Sequence, residues 1–298
     1  MAEDRMSADL QIQPDLVVLD QKTEQIVRNI GIPSCPAMLA TLVREMRAEE
    51  PDFARIGKLV TSDVGLAAMI LKTVNSPFFG LKTKATSVPQ ALSIMGLRNV
   101  VQLVTELLLR QAFPFADGEM METLWEDSSS IAAICAWLAP RVRGVERDEA
   151  YTFGLFRDCG ILTLMLKFSD YPRLFAASRT VDTIPLTEME QKNYQIDHCQ
   201  VGHYLAKSWH LPEPIYLAIL SHHTSLAHTG RQTALAVASL KLIALGLVAE
   251  HLLGHYREGP ASVEWQVSGA SALECLGFSH ADLITFTKEI HSLLAPAQ

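Results

Sequence analysis

Cysteine is scarce in this chain of 298 residues, and the cysteines form none of the patterns of a disulfide-bonded domain. Their number is odd, they lie far apart, and no two of them make a Cys-x-x-Cys pair. They are Cys35, Cys135, Cys159, Cys199 and Cys275. We therefore expect reduced and mostly buried thiols.

Positive charge is also scarce. The chain has a formal net charge of −8 at pH 7 and a pI near 5.7. Such a chain has no overall attraction to a phosphate backbone or to an anionic membrane surface. We expect neither nucleic acid nor a membrane among its partners.

The chain has no uninterrupted hydrophobic run that is long enough to span a membrane. The most apolar window, 234–249, is interrupted by Lys241 and followed by Glu250. Residues 1–20 contain no basic region followed by an apolar core and a cleavage site. We expect a cytoplasmic protein with a mobile tail over residues 1–20.

Hydrophobic residues make up 49% of the chain and recur with helical rather than strand spacing. One example is the stripe formed by Leu97, Val100, Val101, Val104, Leu107 and Leu108. This pattern predicts an all-α fold of about a dozen helices. A proline and a glycine at 114–118 interrupt it, so we predict one domain over 21–298 with subdomains at 21–115 and 116–298.

Polar residues at the predicted helix starts set several boundaries. Asp63 is placed to cap a helix that continues to Val74, and Ser87 to cap a short helix that ends at Gly96. A longer helix is predicted over 97–113. Further helices are predicted over 197–209, 214–223, 233–256 and 279–294.

Short motifs in a fixed order resemble the HDOD domain, the HD-related output domain of bacterial signalling proteins. They are IPSCP at 32–36, LVTSDVGL at 59–66, VNSPFFG at 74–80, SVPQAL at 87–92, MGL at 95–97, LW at 124–125, GLFRDCG at 154–160, DH at 197–198 with VG at 201–202, WHLP at 209–212, and HH at 222–223. The resemblance implies an all-α fold with an N-terminal helical subdomain packed on an HD-like helical core. It also implies a role in signal transduction through contacts with other proteins.

An HD phosphohydrolase carries His-Asp where this chain carries Arg157-Asp158. A guanidinium has only donors and stays protonated, so Arg157 cannot act as a metal ligand and offers Asp158 an ion pair instead. By the same resemblance, Trp125 to Ser128 replace the first His, and Ser239 stands in place of the late Asp. We expect a degenerate HD site, no catalysis and no cofactor.

The weak candidates for a metal site are Asp158 with His198, His222 and His223, which resemble positions near a second metal in some relatives. Adjacent residues on a regular helix point about 100° apart, so His222 and His223 should not face one ion. Packing and hydrogen bonding are therefore the favoured roles for these histidines. His251 and His255 are spaced to grip zinc from one helix face, but a solvated or capping pair is favoured there.

The segment Asn75, Ser76, Pro77, Phe78 and Phe79 is either a helix-ending turn or an interaction loop. The leading functional hypothesis is a non-catalytic regulatory module that binds a protein partner, with homodimerisation also open. The alternatives are a metal-dependent phosphohydrolase acting on nucleotides or cyclic dinucleotides, and a sensor that holds a nucleotide through Arg157 without turnover.

Overall fold

The structure is a computed structural model that describes residues 21–46, 52–75, 84–113, 119–179, 184–226 and 235–294. These residues form α-helices, one short 3-10 helix at Ala139–Arg141 and no strand, which confirms the all-α prediction. The α-helices are α1 (Gln21–Ile30), α2 (Ala37–Met46), α3 (Phe53–Thr61), α4 (Val64–Val74), α5 (Val88–Met95), α6 (Leu97–Gln111), α7 (Glu119–Leu138), α8 (Arg147–Phe156), α9 (Cys159–Lys167), α10 (Tyr171–Ser178), α11 (Leu186–Tyr194), α12 (His198–Ser208), α13 (Glu213–Ser221), α14 (Val237–Tyr256), α15 (Val263–Leu276) and α16 (His280–Leu294). There are thus more helices than the dozen predicted.

Side-chain caps start several helices where the sequence predicted them. The Asp63 carboxylate accepts a hydrogen bond from the Leu66 backbone N–H at the start of α4. The Ser87 hydroxyl accepts from Gln90 N–H at the start of α5, and Gly96 ends that helix with a φ of +78°. Asp197 and Gln200 form a reciprocal capping box at the start of α12. These caps satisfy amides that would otherwise lack partners in the first helical turn.

The second half of the chain packs around α14. This helix contacts α7, α8, α13, α15 and α16, and nearly all residues between Leu242 and Leu253 are buried. It is also long and apolar enough to cross a membrane, but 61% of its most apolar window is buried within the protein. The packing therefore explains its hydrophobicity, as expected for the central helix of a core.

Close helix contacts depend on glycine at two positions of the GLFRDCG motif. A Cβ on Gly154 would lie 2.7 Å from the Ala132 backbone, where α8 crosses α7. A Cβ on Gly160 would lie 1.9 Å from the His198 carbonyl oxygen, where α9 meets the start of α12. Both glycines thus let helix backbones contact each other directly. The contact at Gly160 places His198 close to the junction of α8 and α9, where Asp158 lies.

Helix α13 ends earlier than the sequence predicted. The expected helix reached His223, whereas α13 ends at Ser221 and residues 222–224 form a turn closed by the Thr224 N–H to Ser221 carbonyl bond of 2.9 Å. The Ile219 carbonyl accepts from the His222 ring at 2.7 Å, which helps terminate the helix. The argument that His222 and His223 diverge applied to a regular helix, so it does not apply to this turn.

Candidate functional site

Asp158 lies at the junction of α8 and α9, at the centre of a cluster of charged side chains and histidines. One carboxylate oxygen, Oδ2, lies 3.2 Å from Arg157 Nε. The other, Oδ1, lies 3.3 Å from His222 Nε2 and 3.8 Å from His198 Nε2. Burial opposes ionisation of Asp158, but Arg157 and the two histidines outweigh it and hold the pKa of the carboxyl well below its usual range.

Arg157 is almost fully buried, with 3% of its side chain exposed. Besides Asp158, it contacts Glu250 of α14, with Arg157 Nη2 2.8 Å from Glu250 Oε1. Burial opposes the charge of Arg157, but these two carboxylates outweigh it and raise the pKa of the guanidinium. The ion pair that the sequence predicted between Arg157 and Asp158 is therefore present, with Glu250 as a second partner.

His198 is the first residue of α12 and is held by Glu190 of α11. The His198 ring Nδ1 lies 2.7 Å from Glu190 Oε2, and the same oxygen accepts the His198 backbone N–H at 3.0 Å. The other oxygen of Glu190 accepts from the Tyr171 hydroxyl. Because Glu190 can only accept, Nδ1 carries the hydrogen and Nε2 points toward Asp158.

His222 and His223 both turn their rings toward His198 because α13 has already ended. His222 Nδ1 donates to the Ile219 carbonyl, and His223 Nδ1 pairs with a carboxylate oxygen of Glu264 on α15. The His223 Nε2 atom lies 3.0 Å from His198 Nε2. In each of the three histidines, therefore, Nδ1 is engaged by an acceptor outside the cluster and Nε2 faces its interior.

Two of the inward-facing nitrogens, those of His198 and His223, are within hydrogen-bond distance of each other, but that of His222 has no partner. His222 Nε2 is buried without a hydrogen bond and faces a carboxylate oxygen of Asp158. Burial and the neighbouring His223 lower the pKa of His222 to about 3, so at neutral pH its Nε2 presents a lone pair to that oxygen. Two acceptors that face each other in a buried site repel unless a cation lies between them.

The pKa of His198 is shifted in the opposite direction to that of His222. Burial opposes the protonation of His198, whereas the Glu190 carboxylate 2.7 Å from Nδ1 favours it, and the net effect raises the pKa of the imidazole well above its ordinary value. A positive charge is therefore favoured at the inner nitrogen of His198. A proton or a metal ion can supply that charge.

The donor atoms of His198, Cys199, His222 and His223 all lie within 4.8 Å of one another, close enough to hold one metal ion. The Cys199 sulfur is 3.7 Å from His198 Nε2. Burial raises the pKa of this thiol to about 11, which keeps it protonated in the metal-free site. Asp158 is already ionised, so it is the better-prepared fourth ligand.

The distances fit a small divalent ion. Two ligands of a tetrahedral zinc ion at 2.0–2.1 Å lie about 3.3 Å apart. The His222–Asp158 separation is 3.3 Å and the His198–His223 separation is 3.0 Å. Protein histidines that bind metals usually donate their second ring N–H to a carboxylate or a backbone carbonyl, as all three do here.

The other positions that the resemblance assigns to HD ligands hold no ligand for this cluster among the described residues. Ser239 of α14 is fully buried, and its hydroxyl has no hydrogen-bond partner within the described residues. Trp125 is buried in α7 and packs at 6.3 Å from Phe113. Asp127, two residues later, pairs with Arg257. These residues therefore serve packing and surface ion pairing.

Two cavities border the cluster. One of about 140 Å³ is lined by His222, His223 and Glu264 together with apolar residues of α14 and α15. A larger one of about 370 Å³ is lined by Glu250, Asp127 and Arg257 among others. Arg157 is not in its lining, so Glu250 separates the guanidinium from this larger cavity.

Two further sequence candidates lie away from the cluster. Asn75 caps the end of α4 and exchanges two hydrogen bonds with the Ala85 backbone, at 2.8 and 2.7 Å. Ser76 to Phe79 lie outside the described residues, so the interaction loop stays a prediction. His251 stacks on Trp265 with ring centroids 3.8 Å apart, and His255 is exposed.

Sequence reasoning missed the carboxylates that orient the histidines. Glu190 is fully buried although it lies in a polar helix, and Glu264 lies in the first turn of α15. No local pattern distinguishes them from exposed glutamates. Glu250 had a signal, because it ends the most apolar window of the chain and follows residues that are buried.

The described residues define an all-α protein with a buried cluster of three histidines and Asp158. The family model of the HDOD domain matches residues 32–225, which is more than half of the chain. The chain belongs to the HDOD domain family.

Solved structures share this fold. A proposed phosphohydrolase from Shewanella amazonensis superposes with a TM-score of 0.70 at 20% identity, over 92% of this chain and 94% of that one. An HDOD domain protein with unknown function from Geobacter sulfurreducens gives 0.68 at 20% identity, over 93% and 100%. A proposed signal transduction protein from Marinobacter aquaeolei gives 0.73 at 18% identity, over 91% and 60%.

One curated relative also matches in sequence. It is an uncharacterized protein from Treponema pallidum that is 24% identical over 222 residues, which are 71% of this chain and 42% of that protein. The chain therefore spans less than half the length of this relative.

Proposed function

We propose that this chain is a regulatory domain of a bacterial signalling pathway that acts through contacts with another protein and does not hydrolyse phosphoesters. We further propose that it holds a divalent metal ion through His198, His222, His223 and Asp158. The observation that carries the metal proposal is the convergence of ligand atoms of three histidines within 4.8 Å of one another, with Asp158 Oδ1 3.3 Å from His222 Nε2 and 3.8 Å from His198 Nε2. The proposed cellular location is the cytoplasm.

The ligand set favours a transition metal over magnesium or calcium. Imidazole nitrogens suit zinc, iron, copper or nickel better than the hard cations, which prefer oxygen. A bound ion would supply the positive charge that the lone pair of His222 and the carboxylate of Asp158 both face. The expectation of no cofactor, made from the sequence, rested on the HD ligands that the resemblance leaves missing and on diverging directions for His222 and His223, and it has not been tested.

Three features argue against phosphoester hydrolysis. Arg157 and Ser239 stand where an HD enzyme has metal ligands. The guanidinium of Arg157 is engaged by Asp158 and Glu250. The described residues leave a cavity of only about 140 Å³ beside the histidines, whereas ligand pockets usually measure about 300–1,000 Å³. A nucleotide is therefore poorly accommodated next to the ion.

The nucleotide-sensor alternative is weakened by the same contacts. Phosphate recognition needs a guanidinium with free donors directed at a pocket. Arg157 is buried, is paired with two carboxylates and does not line the larger cavity. A phosphate at Arg157 would have to displace Glu250.

Metal-dependent phosphoester hydrolysis is the second candidate, because a histidine-rich metal site is one way to activate water. The test uses the full chain loaded with manganese or zinc and supplied with p-nitrophenyl phosphate, bis(p-nitrophenyl) phosphate or a cyclic dinucleotide. We expect no hydrolysis above that of a matched His223→Ala variant.

Metal-dependent turnover that is lost in His223→Ala would support the phosphohydrolase and overturn the regulatory proposal. Turnover that persists in His223→Ala would point to a contaminating enzyme or free metal. Absence of turnover in metal-loaded wild-type protein supports the regulatory proposal, and failure of the wild-type protein to retain metal overturns the metal proposal alone.

A further inference from the structure

Asp158 presents its two carboxylate oxygens to two different cation positions. Oδ1 faces the Nε2 atoms of His198 and His222, at 3.8 and 3.3 Å. Oδ2 faces Arg157 Nε at 3.2 Å. A carboxylate with this arrangement is able to bridge two cations, as carboxylates do between paired metal ions about 3.5–4 Å apart.

On one side of Asp158 the cation is already part of the protein. The Arg157 guanidinium is permanently charged; its Nη2 pairs with Glu250 at 2.8 Å, and its Nε forms an ion pair with Asp158 at 3.2 Å but no hydrogen bond. Its position is fixed by packing, since 97% of the side chain is shielded and Nη1 also lies 3.5 Å from the Gly246 carbonyl. Gly246 has no side chain, and a Cβ there would lie 2.9 Å from Phe153 and 3.5 Å from Arg157 Nη1.

The net negative charge around the cluster favours the binding of one further cation. The carboxylates of Asp158, Glu190, Glu250 and Glu264 surround the three imidazoles, and Arg157 is the guanidinium that offsets them. With neutral imidazoles, negative charges exceed positive ones by three. One divalent ion removes most of that excess, whereas a second ion beside Asp158 Oδ2 would lie against the buried guanidinium and be repelled.

We infer that Arg157 is a built-in cation that restricts the cluster to a single metal ion, bound on the histidine side of Asp158. This inference rests on the proposed metal site and names the residue that sets its stoichiometry. Arg157 thus selects for a mononuclear site by occupying the position in which a second metal ion would share Asp158. Replacing the guanidinium by an imidazole removes the fixed charge, frees Asp158 Oδ2 and Glu250, and adds a ligand nitrogen.

The test is the number of metal ions bound per chain. Full-length wild-type protein and the variants Arg157→His and Arg157→Lys are stripped with a chelator, exposed to excess zinc or manganese alone, freed of unbound ions by gel filtration and analysed by elemental analysis. Circular dichroism and the melting temperature establish that each variant is folded. We expect one ion in wild type, one in Arg157→Lys, which keeps a cation, and two in Arg157→His.

Each outcome supports or overturns the inference. Two ions in wild type, or one ion in folded Arg157→His, overturns it while leaving the metal site itself standing. No ion in wild type overturns the proposed metal site and this inference with it. If Arg157→His does not fold, Arg157→Gln replaces it, and a stoichiometry above one is again the expected result because Asp158 Oδ2 and Glu250 are then free.

Discussion

At the scale of single residues, the orientation of three imidazoles depends on partners that lie outside the cluster. Glu190 fixes His198 in place, since its one carboxylate group accepts hydrogen bonds from the His198 ring, the His198 backbone N–H and the Tyr171 hydroxyl. It sets which nitrogen of His198 carries the hydrogen. Outer partners of this kind usually contribute 10–100-fold to metal affinity.

Glu190→Gln is therefore expected to weaken zinc or manganese binding by about 10–100-fold. The neutral amide is a poorer acceptor for the His198 ring and no longer stabilises positive charge there. Glu188→Gln is the matched control, because Glu188 is exposed on the same helix. Competition with a chromophoric chelator measures both affinities, and equal losses in the two variants would contradict the role assigned to Glu190.

His203 gives a separate prediction about pH. Burial lowers the pKa of this imidazole and the nearby Lys207 adds to the effect, although Nδ1 lies 2.9 Å from the Tyr216 carbonyl. The unfolded chain therefore binds the proton more readily than the folded chain below pH 6.5. The neutral ring contributes stability that is fully present above pH 6.5 and is lost as the pH falls through the lowered pKa.

Urea unfolding in the presence of a chelator, from pH 7.5 to pH 5, measures this contribution. Wild type should lose free energy of unfolding more steeply toward acid pH than His203→Asn, which has no group that titrates in this range. Parallel pH profiles for the two proteins would contradict the account of His203.

At the scale of elements, the site depends on how closely α9 meets the start of α12. Gly160 permits that approach, because a Cβ there would overlap the His198 carbonyl oxygen at 1.9 Å. Gly202 on α12 completes the contact, and a Cβ on it would lie 3.0 Å from an Ile219 methyl of α13. The three helices that carry His198, His222 and Asp158 thus meet at two glycines.

Gly160→Ala is expected to destabilise the fold by about 1–3 kcal/mol or more, since a backbone atom cannot move aside as a side chain can. It should also weaken metal binding by separating Asp158 from His198. Gly254→Ala is the control, because Gly254 is half-buried in α14 and a Cβ there meets no atom within 4 Å. Its expected effect is a gain of up to about 1 kcal/mol from helix propensity. Chemical denaturation measures the free energy of unfolding of both variants. Similar losses of stability in the two would refute the close-contact argument.

Much of the fold could be predicted from the sequence, because helix starts carry local chemical signals. Asp63 and Ser87 each cap the helix that was predicted from them, and Asp197 caps the helix that was predicted to start there. The end of α13 had no such signal, since His222 terminates it through a bond to its own preceding turn. The helix was predicted to end at His223 and ends at Ser221, and this difference of two residues allows the rings of His222 and His223 to face the same site.

At the scale of the whole molecule, the site draws on parts of the chain that are far apart in sequence. Its proposed ligands come from the α8–α9 junction, α12 and the turn after α13, and their supporting carboxylates from α11, α14 and α15. No local pattern reveals that Glu190 and Glu264 point at the same three histidines. The packing of α9, α11 and α13 against α12, and of α13 and α15 against α14, brings them together.

The central claim is that three histidines and Asp158 bind one metal ion, and X-ray absorption at the zinc edge of the zinc-loaded protein tests it most directly. The account predicts scattering from three imidazoles and one oxygen, with ligand distances of about 2.0–2.1 Å, and an unchanged spectrum in Cys199→Ser. A sulfur contribution at about 2.3 Å would replace Asp158 by Cys199 as the fourth ligand. A shell of oxygens without imidazole scattering would contradict the metal site.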